Sequence, residues 1–130
     1  MSVKLDWFDN EKTIVHQIFK DKLTTNDLMI AANQTEVMYL EAGRRIFVLS
    51  DFTRLTGIGN SILPSVKSLE QKYYASEYSC VVVSPSYYII TLGQIARTMS
   101  PNFMKNVYFV QTLEEGLKKI VHLKVLDANS

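Results

Sequence analysis

Two short apolar runs, each followed by a segment with helical periodicity, constrain the fold of this chain most strongly. Residues 44–50 and 79–83 are nearly continuous in apolar side chains, which is typical of strands that are covered on both faces. Strands that alternate with helices are mostly parallel, because the intervening helix returns the chain to the same end of the sheet. The sequence therefore predicts an α/β fold with a mostly parallel sheet and helices packed on it.

The first two strands differ from this pattern. Residues 3–8 and 13–19 have strand character, and only a polar turn at residues 9–11 separates them. Two strands joined by a short turn predict an antiparallel hairpin. With a fifth strand at residues 106–110, the predicted order is β-β-α-β-α-β-α-β-α, in a single domain over residues 1–130 with a mixed sheet.

Two of the predicted helices have recognisable start signals. Residues 25–42 are expected to be helical, because Thr24 offers a capping hydroxyl and Gly43 stands where a helix often ends. A second helix is expected over about residues 62–76, with the hydroxyl of Ser61 as its N-cap.

The last two helices are predicted from end signals and apolar stripes. Ser84-Pro85 is expected to start the third helix and Pro101 to stop it. The fourth begins with a capping box of Thr112 and Glu115 and runs to about residue 126. The core stripes are predicted to be Tyr88, Leu92, Ile95 and Met99 in the third helix and Leu117, Ile120, Val121 and Val125 in the fourth.

The segment that joins the third predicted strand to the second predicted helix is the candidate binding region. Asp51 follows the strand, and Gly57 and Gly59 indicate a loop before Ser61. A strand that leads through a glycine-containing loop to a helix N-terminus is a frequent binding position in α/β domains. The glycines match neither the phosphate-binding loop nor the dinucleotide-binding fingerprint, so no nucleotide site is predicted.

This order of elements resembles the STAS domain and, more narrowly, the SpoIIAA-like family of small bacterial proteins. The resemblance lies mainly in residues 48–53 (VLSDFT), with further similarity at Trp7, Asp9 and residues 111–115. The family is grouped in fold with the STAS anti-sigma-factor antagonists and with the lipid-carrying CRAL-TRIO domains. The resemblance implies a non-catalytic domain that acts through protein–protein interaction in a bacterial regulatory pathway.

The resemblance also implies where such an interaction would occur. Aligned without gaps, Asp51 matches the first aspartate of the antagonists, Gly59 stands where their switch aspartate would be, and Asn60 replaces their phosphorylated serine. Ser61, one position later, is either a substitute for that serine or an ordinary helix cap. The candidate interaction or phospho-switch loop comprises Asp51, Thr53, Gly57, Gly59, Asn60 and Ser61.

The sequence contains no constellation that predicts catalysis, a metal or a cofactor. His16 and His122 are far apart and Cys80 is the one cysteine, so neither converging metal ligands nor an intrachain disulfide is expected. Cys80 begins an apolar run and is predicted to be a small buried residue. Ser61, His122 and Asp51 lack the G-x-S-x-G context of a hydrolase. We therefore expect that the chain is not an enzyme.

Several large apolar residues exceed what the predicted core stripes require. Exposed together, they would form a patch for a protein partner or a homodimer, or they would line a pocket for an acyl chain. A small-molecule or lipid-binding domain with an apolar cleft is therefore the alternative function. These residues are Tyr74, Tyr78, Tyr87, Ile89, Ile90, Phe103 and Met104.

Charge and hydropathy limit the other partners. The formal net charge of +1 provides no strong attraction to nucleic acid. The longest apolar-rich stretch, about residues 80–96, is interrupted at residues 84–86 and is too short to span a bilayer. The N-terminal residues do not resemble a signal peptide, so a cytoplasmic location is expected.

Overall fold

The computed structural model describes residues 3–73 and 78–129. It contains a five-stranded sheet whose strands lie side by side in chain order. The first two strands pair antiparallel, and the three following pairs are parallel. The predicted mixed, mostly parallel sheet is thus confirmed. The strands are β1 (Val3–Trp7), β2 (Ile14–Leu23), β3 (Phe47–Ile58), β4 (Ser79–Val83) and β5 (Val107–Val110).

Helices cover both faces of the sheet. Residues of the first three helices share one face of the sheet with the short fourth helix, whereas the fifth packs on the opposite face against β3, β4 and β5. The connections between successive parallel strands run in one direction across the sheet, and right-handed crossovers then lie on the same face. The last helix follows β5 and covers the other face. The helices are α1 (Thr25–Ala42), α2 (Ile62–Tyr73), α3 (Tyr87–Met99), α4 (Pro101–Met104) and α5 (Leu113–Ala128).

The core under α5 is closely packed. Leu49, Val81 and Val83 are fully buried and contact Ile120 and Leu123 of the helix. These strand residues occupy alternate positions, as expected when one face of a strand meets a helix.

The opposite face contains two separate clusters. One surrounds Phe19 and Ala31 near the carboxyl end of β2. The other surrounds Val15, Ile46 and Val48 beneath the second half of α1. The division of the core on this face leaves room between the sheet and the helices.

Local end signals are confirmed at several helices. The Thr24 hydroxyl accepts a hydrogen bond from the N–H of Asp27 at 3.1 Å, and Gly43 ends α1 in the left-handed conformation, with φ of 65°. Thr112 and Glu115 form the predicted capping box at the start of α5. These signals depend on neighbouring residues only, which is why the sequence alone reveals them.

The predicted loop after the third strand is wrong. β3 does not end near Ser50 but continues through Asp51 to Ile58. β2 is also longer than predicted, and its last residues pair with this extension, Leu23 opposite Ile58. The extension is held by this pairing and by packing of Leu55 and Ile58 against the cluster around Phe19.

The predicted start and stripe of the third helix are also corrected. Its N-cap is Ser86 rather than Ser84, and the Ser84 hydroxyl accepts from the N–H of Ser86 at 3.2 Å. The buried residues are one position later than predicted, because the smallest side chains face the sheet. The buried residues of α3 are Ile89, Gly93 and Ala96, whereas Tyr88, Ile95 and Met99 are exposed.

The predicted apolar stripe of α5 is also corrected, because a small residue faces the sheet in this helix too. Gly116, Ile120 and Leu123 are buried, whereas Val121 and Val125 are exposed. Gly116 faces the sheet so closely that an added Cβ would be 2.9 Å from Cγ2 of Val83, and this contact sets the rotation of the helix.

The position of Pro101 and the start of α2 agree with the sequence predictions. Pro101 follows the end of α3 as expected, but it also begins the short helix α4. α2 begins at Ile62, as predicted. The predicted end of that helix near Ser76, and Tyr74, lie outside the described residues.

Candidate functional site

A cavity of about 830 Å³ lies between the sheet and helices α1, α2 and α3. Its volume is within the range of small-molecule sites, about 300–1,000 Å³. The wall is predominantly apolar and includes Ile89, Phe103 and Met104, which the sequence singled out as surplus apolar residues. Other apolar lining residues are Phe19, Val48, Leu69, Val82, Leu92 and Phe109.

Small side chains create this space. Ala31 and Ala32 of α1 and Ala96 of α3 line the cavity where larger residues would fill it. α2 packs against α1 and α3, and its Leu63, Val66 and Leu69 also line the cavity. The cavity is therefore a consequence of residue size on the inner faces of two helices.

Four polar side chains form a hydrogen-bonded chain in the apolar wall. The Nε2 of Gln17 donates to Oγ1 of Thr35 at 2.9 Å, and Oγ of Ser50 donates to Oε1 of Gln17 at 2.6 Å. Oγ of Ser50 also lies 3.2 Å from Sγ of Cys80. All four residues line the cavity, and Gln17, Thr35 and Ser50 are buried.

The Cys80 thiol, at one end of this hydrogen-bond chain, is not an activated nucleophile. Burial raises the pKa of Cys80 to about 11, although the hydrogen bond with Ser50 acts in the opposite direction. The thiol is therefore protonated at neutral pH, and the reactive form of a cysteine is the thiolate. The prediction that Cys80 is a small buried residue is confirmed in part, because Cys80 lies in β4 and packs against the cluster around Val15 and Val48 but is only partly buried.

One end of the cavity is polar and basic. Arg45, Lys105 and Asn106 line the cavity next to the amino ends of β3, β4 and β5. Arg45 forms a largely exposed ion pair with Asp127 at 3.2 Å, and it also donates to Ser79 at 3.4 Å. An apolar ligand inside the cavity would thus have polar groups at this end.

The opposite face of the sheet holds a separate polar pair. Nε2 of His16 lies 3.5 Å from Oδ2 of Asp51, and Oδ1 of Asp51 accepts from the N–H and the hydroxyl of Thr53 at 3.0 and 2.6 Å. Adjacent strand residues point to opposite faces. Because Gln17 and Ser50 line the cavity, the neighbouring His16 and Asp51 face away from it.

The six residues predicted as one interaction loop are spread along the second half of β3 and the short connection to α2. Asp51 and Thr53 belong to the polar pair described above, whereas Gly57 and the residues after it lie at the far end of β3. Asp51 and Ile58 are seven positions apart in β3, which corresponds to about 23 Å. The segment outside regular structure is therefore confined to residues 59–61, of which Asn60 and Ser61 are exposed.

Gly59 and Ser61 have local structural roles. The N–H of Gly59 donates to the carbonyl of Leu23 at 2.7 Å, and an added Cβ would be 2.9 Å from that same oxygen, so the glycine permits a close backbone approach. The carbonyl of Ser61 accepts the N–H of Ser65 at 3.1 Å, which places Ser61 at the N-cap position. Oγ of Ser65 lies 2.6 Å from the Thr25 hydroxyl, and this contact ties the starts of α1 and α2 together.

The polar residues of the cavity were missed by sequence reasoning. Gln17 and Ser50 are polar residues within largely apolar strand segments, and this pattern was the one indication in the sequence that they are special. It identifies a polar group in the core but does not indicate that the group borders a cavity. Tyr78, which the sequence marked as a possible rim residue, lines the cavity and contacts the ring of Tyr39 at 5.4 Å between centroids.

The described parts of the chain contain neither a metal-ligand cluster nor a helix that could span a membrane. Among residues 3–73 and 78–129, no group of three or more His, Cys, Asp or Glu side chains is arranged to hold a metal ion. None of the described helices has the length and apolar composition needed to cross a bilayer.

The fold is shared with solved structures of the SpoIIAA type. The anti-sigma factor antagonist SpoIIAA in its unphosphorylated form matches with a TM-score of 0.61 and 12% identity, over 92% of this chain and 97% of that chain. An uncharacterised DUF3478 protein with a SpoIIAA-like fold from Shewanella loihica matches with a TM-score of 0.58 and 16% identity, over 89% of each chain. No protein-family model matches the sequence, and no curated protein is significantly similar to it. The chain thus has a SpoIIAA-like, STAS-type fold, as the sequence resemblance predicted.

Proposed function

We propose that this chain is a non-catalytic binding domain whose cavity holds an apolar small molecule. The observation that carries the proposal is the cavity of about 830 Å³ with its predominantly apolar wall. Atoms that border an empty space lose the dispersion contacts that a close-packed interior would provide. An apolar ligand restores those contacts and releases its own apolar surface from water.

The chemistry of the wall favours binding over catalysis. The Cys80 thiol is protonated at neutral pH, since burial raises its pKa to about 11. The pair of His16 and Asp51 faces the other side of the sheet. Among the described residues that line the cavity, Arg45 and Lys105 are the charged ones, and both lie near the amino ends of the strands.

Binding of a fluorescent apolar dye tests this proposal. Nile red should bind the purified protein at one site per chain, with a rise in fluorescence as the dye leaves water. Val82→Phe, which places a ring inside the cavity, should abolish this signal, whereas Val121→Ala on the exposed face of α5 should not change it. Equal dye binding by wild type and Val82→Phe would mean that the dye does not occupy the cavity.

A second candidate function is protein–protein interaction in a bacterial, cytoplasmic regulatory pathway. It is supported by the shared fold with an anti-sigma factor antagonist and by the outer face of α3, where Tyr87 is 76% and Tyr88 60% exposed. Tyrosine is enriched at protein interfaces. Ile89 and Met104, which the sequence suggested for such a contact, are buried inside the chain instead.

Sedimentation equilibrium tests self-association through this face. If α3 forms a homodimer contact, the wild type should associate at high micromolar concentration, and Tyr88→Glu should be monomeric. A wild type that stays monomeric would contradict the homodimer hypothesis.

Phosphorylation of Ser61 by a kinase from the host would support the phospho-switch, since a phosphate is favourably placed at a helix N-terminus.

A further inference from the structure

The polar side chains in the cavity wall form a hydrogen-bond chain with a definite direction. Ser50 must donate to Oε1 of Gln17 at 2.6 Å, because a carbonyl oxygen has no hydrogen. Since Ser50 has a single proton, the Cys80 thiol is the donor in its 3.2 Å contact with Ser50. At the other end, Nε2 of Gln17 donates to the Thr35 hydroxyl at 2.9 Å.

Within the hydrogen-bond chain, one N–H group of the Gln17 amide has no acceptor among the described residues. The Gln17 amide has two N–H groups, and one of them is used by Thr35. Within the described parts of the chain, the second has no acceptor, although Gln17 is only 8% exposed. A buried donor without a partner carries a desolvation penalty, which a ligand acceptor would remove.

The surroundings of this donor favour a neutral acceptor. The four residues of the hydrogen-bond chain are uncharged at neutral pH, and the basic residues that line the cavity, Arg45 and Lys105, lie toward one end of it. Arg45 precedes β3 and is five residues from Ser50, about 16 Å along an extended backbone. A carboxylate placed at Gln17 would thus be a buried charge without a cation, which is strongly unfavourable.

We infer that the hydrogen-bond chain of Thr35, Gln17, Ser50 and Cys80 is the polar anchor of the cavity. It selects apolar ligands that carry a neutral hydrogen-bond acceptor, such as the carbonyl of a ketone or an ester. The inference rests on the proposed function, since it specifies the ligand class for the same cavity. Gln17 is the residue that contacts the acceptor.

A pair of ligands with the same shape tests the inference. Acetophenone and α-methylstyrene differ in that a carbonyl oxygen replaces a methylene group. In NMR titrations of the isotopically labelled full chain, both should shift signals of residues that line the cavity. Only acetophenone should move the side-chain amide proton of Gln17 downfield, because only its oxygen can accept the free N–H, whereas α-methylstyrene acts on this signal through its ring current alone.

Combining this pair of ligands with the variant Gln17→Met gives a thermodynamic cycle analogous to a double-mutant cycle, and Leu92→Ala serves as its control. Gln17→Met keeps a side chain of similar length but removes both amide donors. The ratio of the two dissociation constants should change by about tenfold between wild type and Gln17→Met, in the sense that acetophenone loses its advantage. In the control Leu92→Ala, which alters an apolar part of the wall, both ligands should weaken together and the ratio should stay constant.

The outcomes separate the anchor from the cavity itself. If both ligands bind but the ratio is the same in wild type and Gln17→Met, or the Gln17 amide does not respond to acetophenone, the anchor is disproved and cavity binding stands. If neither ligand shifts any signal of the cavity wall, the proposed function is contradicted. Should Gln17→Met fail to fold, the amide response of the wild type decides the question alone.

Discussion

The ring of Phe109 lies directly against the backbone of Gly93. A Cβ added at Gly93 would be 2.3 Å from Cζ of the ring, and 2.7 and 2.8 Å from its two Cε atoms. Gly93 is on α3 and Phe109 on β5, and both line the cavity. This contact fixes how closely α3 approaches the sheet and so defines one wall of the site.

Replacing Gly93 by alanine should therefore destabilise the protein. Alanine gains up to about 1 kcal/mol over glycine in a helix, but overpacking costs about 1–3 kcal/mol, so we expect a net loss of about 1 kcal/mol in the free energy of unfolding. Urea denaturation measures it. Gly57→Ala is the matched control, because nothing lies within 4 Å of a Cβ at that position. A Gly93→Ala protein as stable as wild type would contradict the packing described for this wall.

Two adjacent valines of β4 provide a direct comparison of the two faces of the sheet. Val82 faces the cavity, whereas Val81 is fully buried in the packed core under α5. Val81→Phe should lower the free energy of unfolding by about 1–3 kcal/mol, since that core has no space for a ring. Val82→Phe should cost clearly less or increase stability, because the ring enters open space. Equal losses in the two variants would indicate that the cavity is closed in solution.

The sequence predicts those parts of the fold that depend on local signals. The hairpin, the helix ends at Thr24 and Gly43, and the capping box at Thr112 all involve residues within a few positions of each other. The length of β3 could not be predicted, because its second half is held by pairing with the end of β2. In that half, Gly57 indicates a turn by composition, but the partner strand keeps the chain extended.

The candidate site was less predictable than the fold. Hydrophobicity favours the large residues of α3 as its inner face, but Gly93 and Ala96 occupy that face because the sheet is close there. The cavity itself depends on several small residues from different elements, and no sequence pattern records an empty volume. Ile89, Phe103 and Met104 were identified as surplus apolar residues, and their position around the cavity required the fold.

The β1–β2 turn should contribute to the pH dependence of stability. Burial raises the pKa of the Asp9 carboxyl, but hydrogen bonds from the Thr13 hydroxyl and from the N–H groups of Ile14 and Thr13, together with Lys124, outweigh this effect and hold the pKa below its ordinary value. A carboxylate with a lowered pKa stabilises the fold above the pKa of the unfolded chain, about 3.9, and this contribution disappears as the pH falls through the folded pKa.

Asp9→Asn should accordingly be less stable than wild type at pH 7, and the difference should shrink below about pH 4. Urea denaturation at a series of pH values measures this difference, and Glu11→Gln controls for the loss of one negative charge in the same turn. A difference that does not vary with pH would show that the Asp9 charge makes no net contribution.

A stability measurement can show whether Ser61 caps α2 or is an ordinary surface residue. Its carbonyl occupies the N-cap position of α2, and we predict that its hydroxyl caps the helix, so Ser61→Ala should cost about 1 kcal/mol in the free energy of unfolding. Thr24→Ala is the reference, because the Thr24 hydroxyl accepts the N–H of Asp27 at 3.1 Å. If Thr24→Ala loses stability and Ser61→Ala loses no more than a few tenths of that amount, the capping role of Ser61 is wrong.

Native mass spectrometry of the protein purified from its own host tests the central claim, that the cavity holds an apolar small molecule. We expect the wild type to carry an additional small mass that organic extraction removes and that contains an apolar compound. Val82→Phe, prepared in the same way, should appear without it. A wild type that is a bare chain, or that is found only in complex with another protein, would contradict the ligand-binding account and favour protein–protein interaction instead.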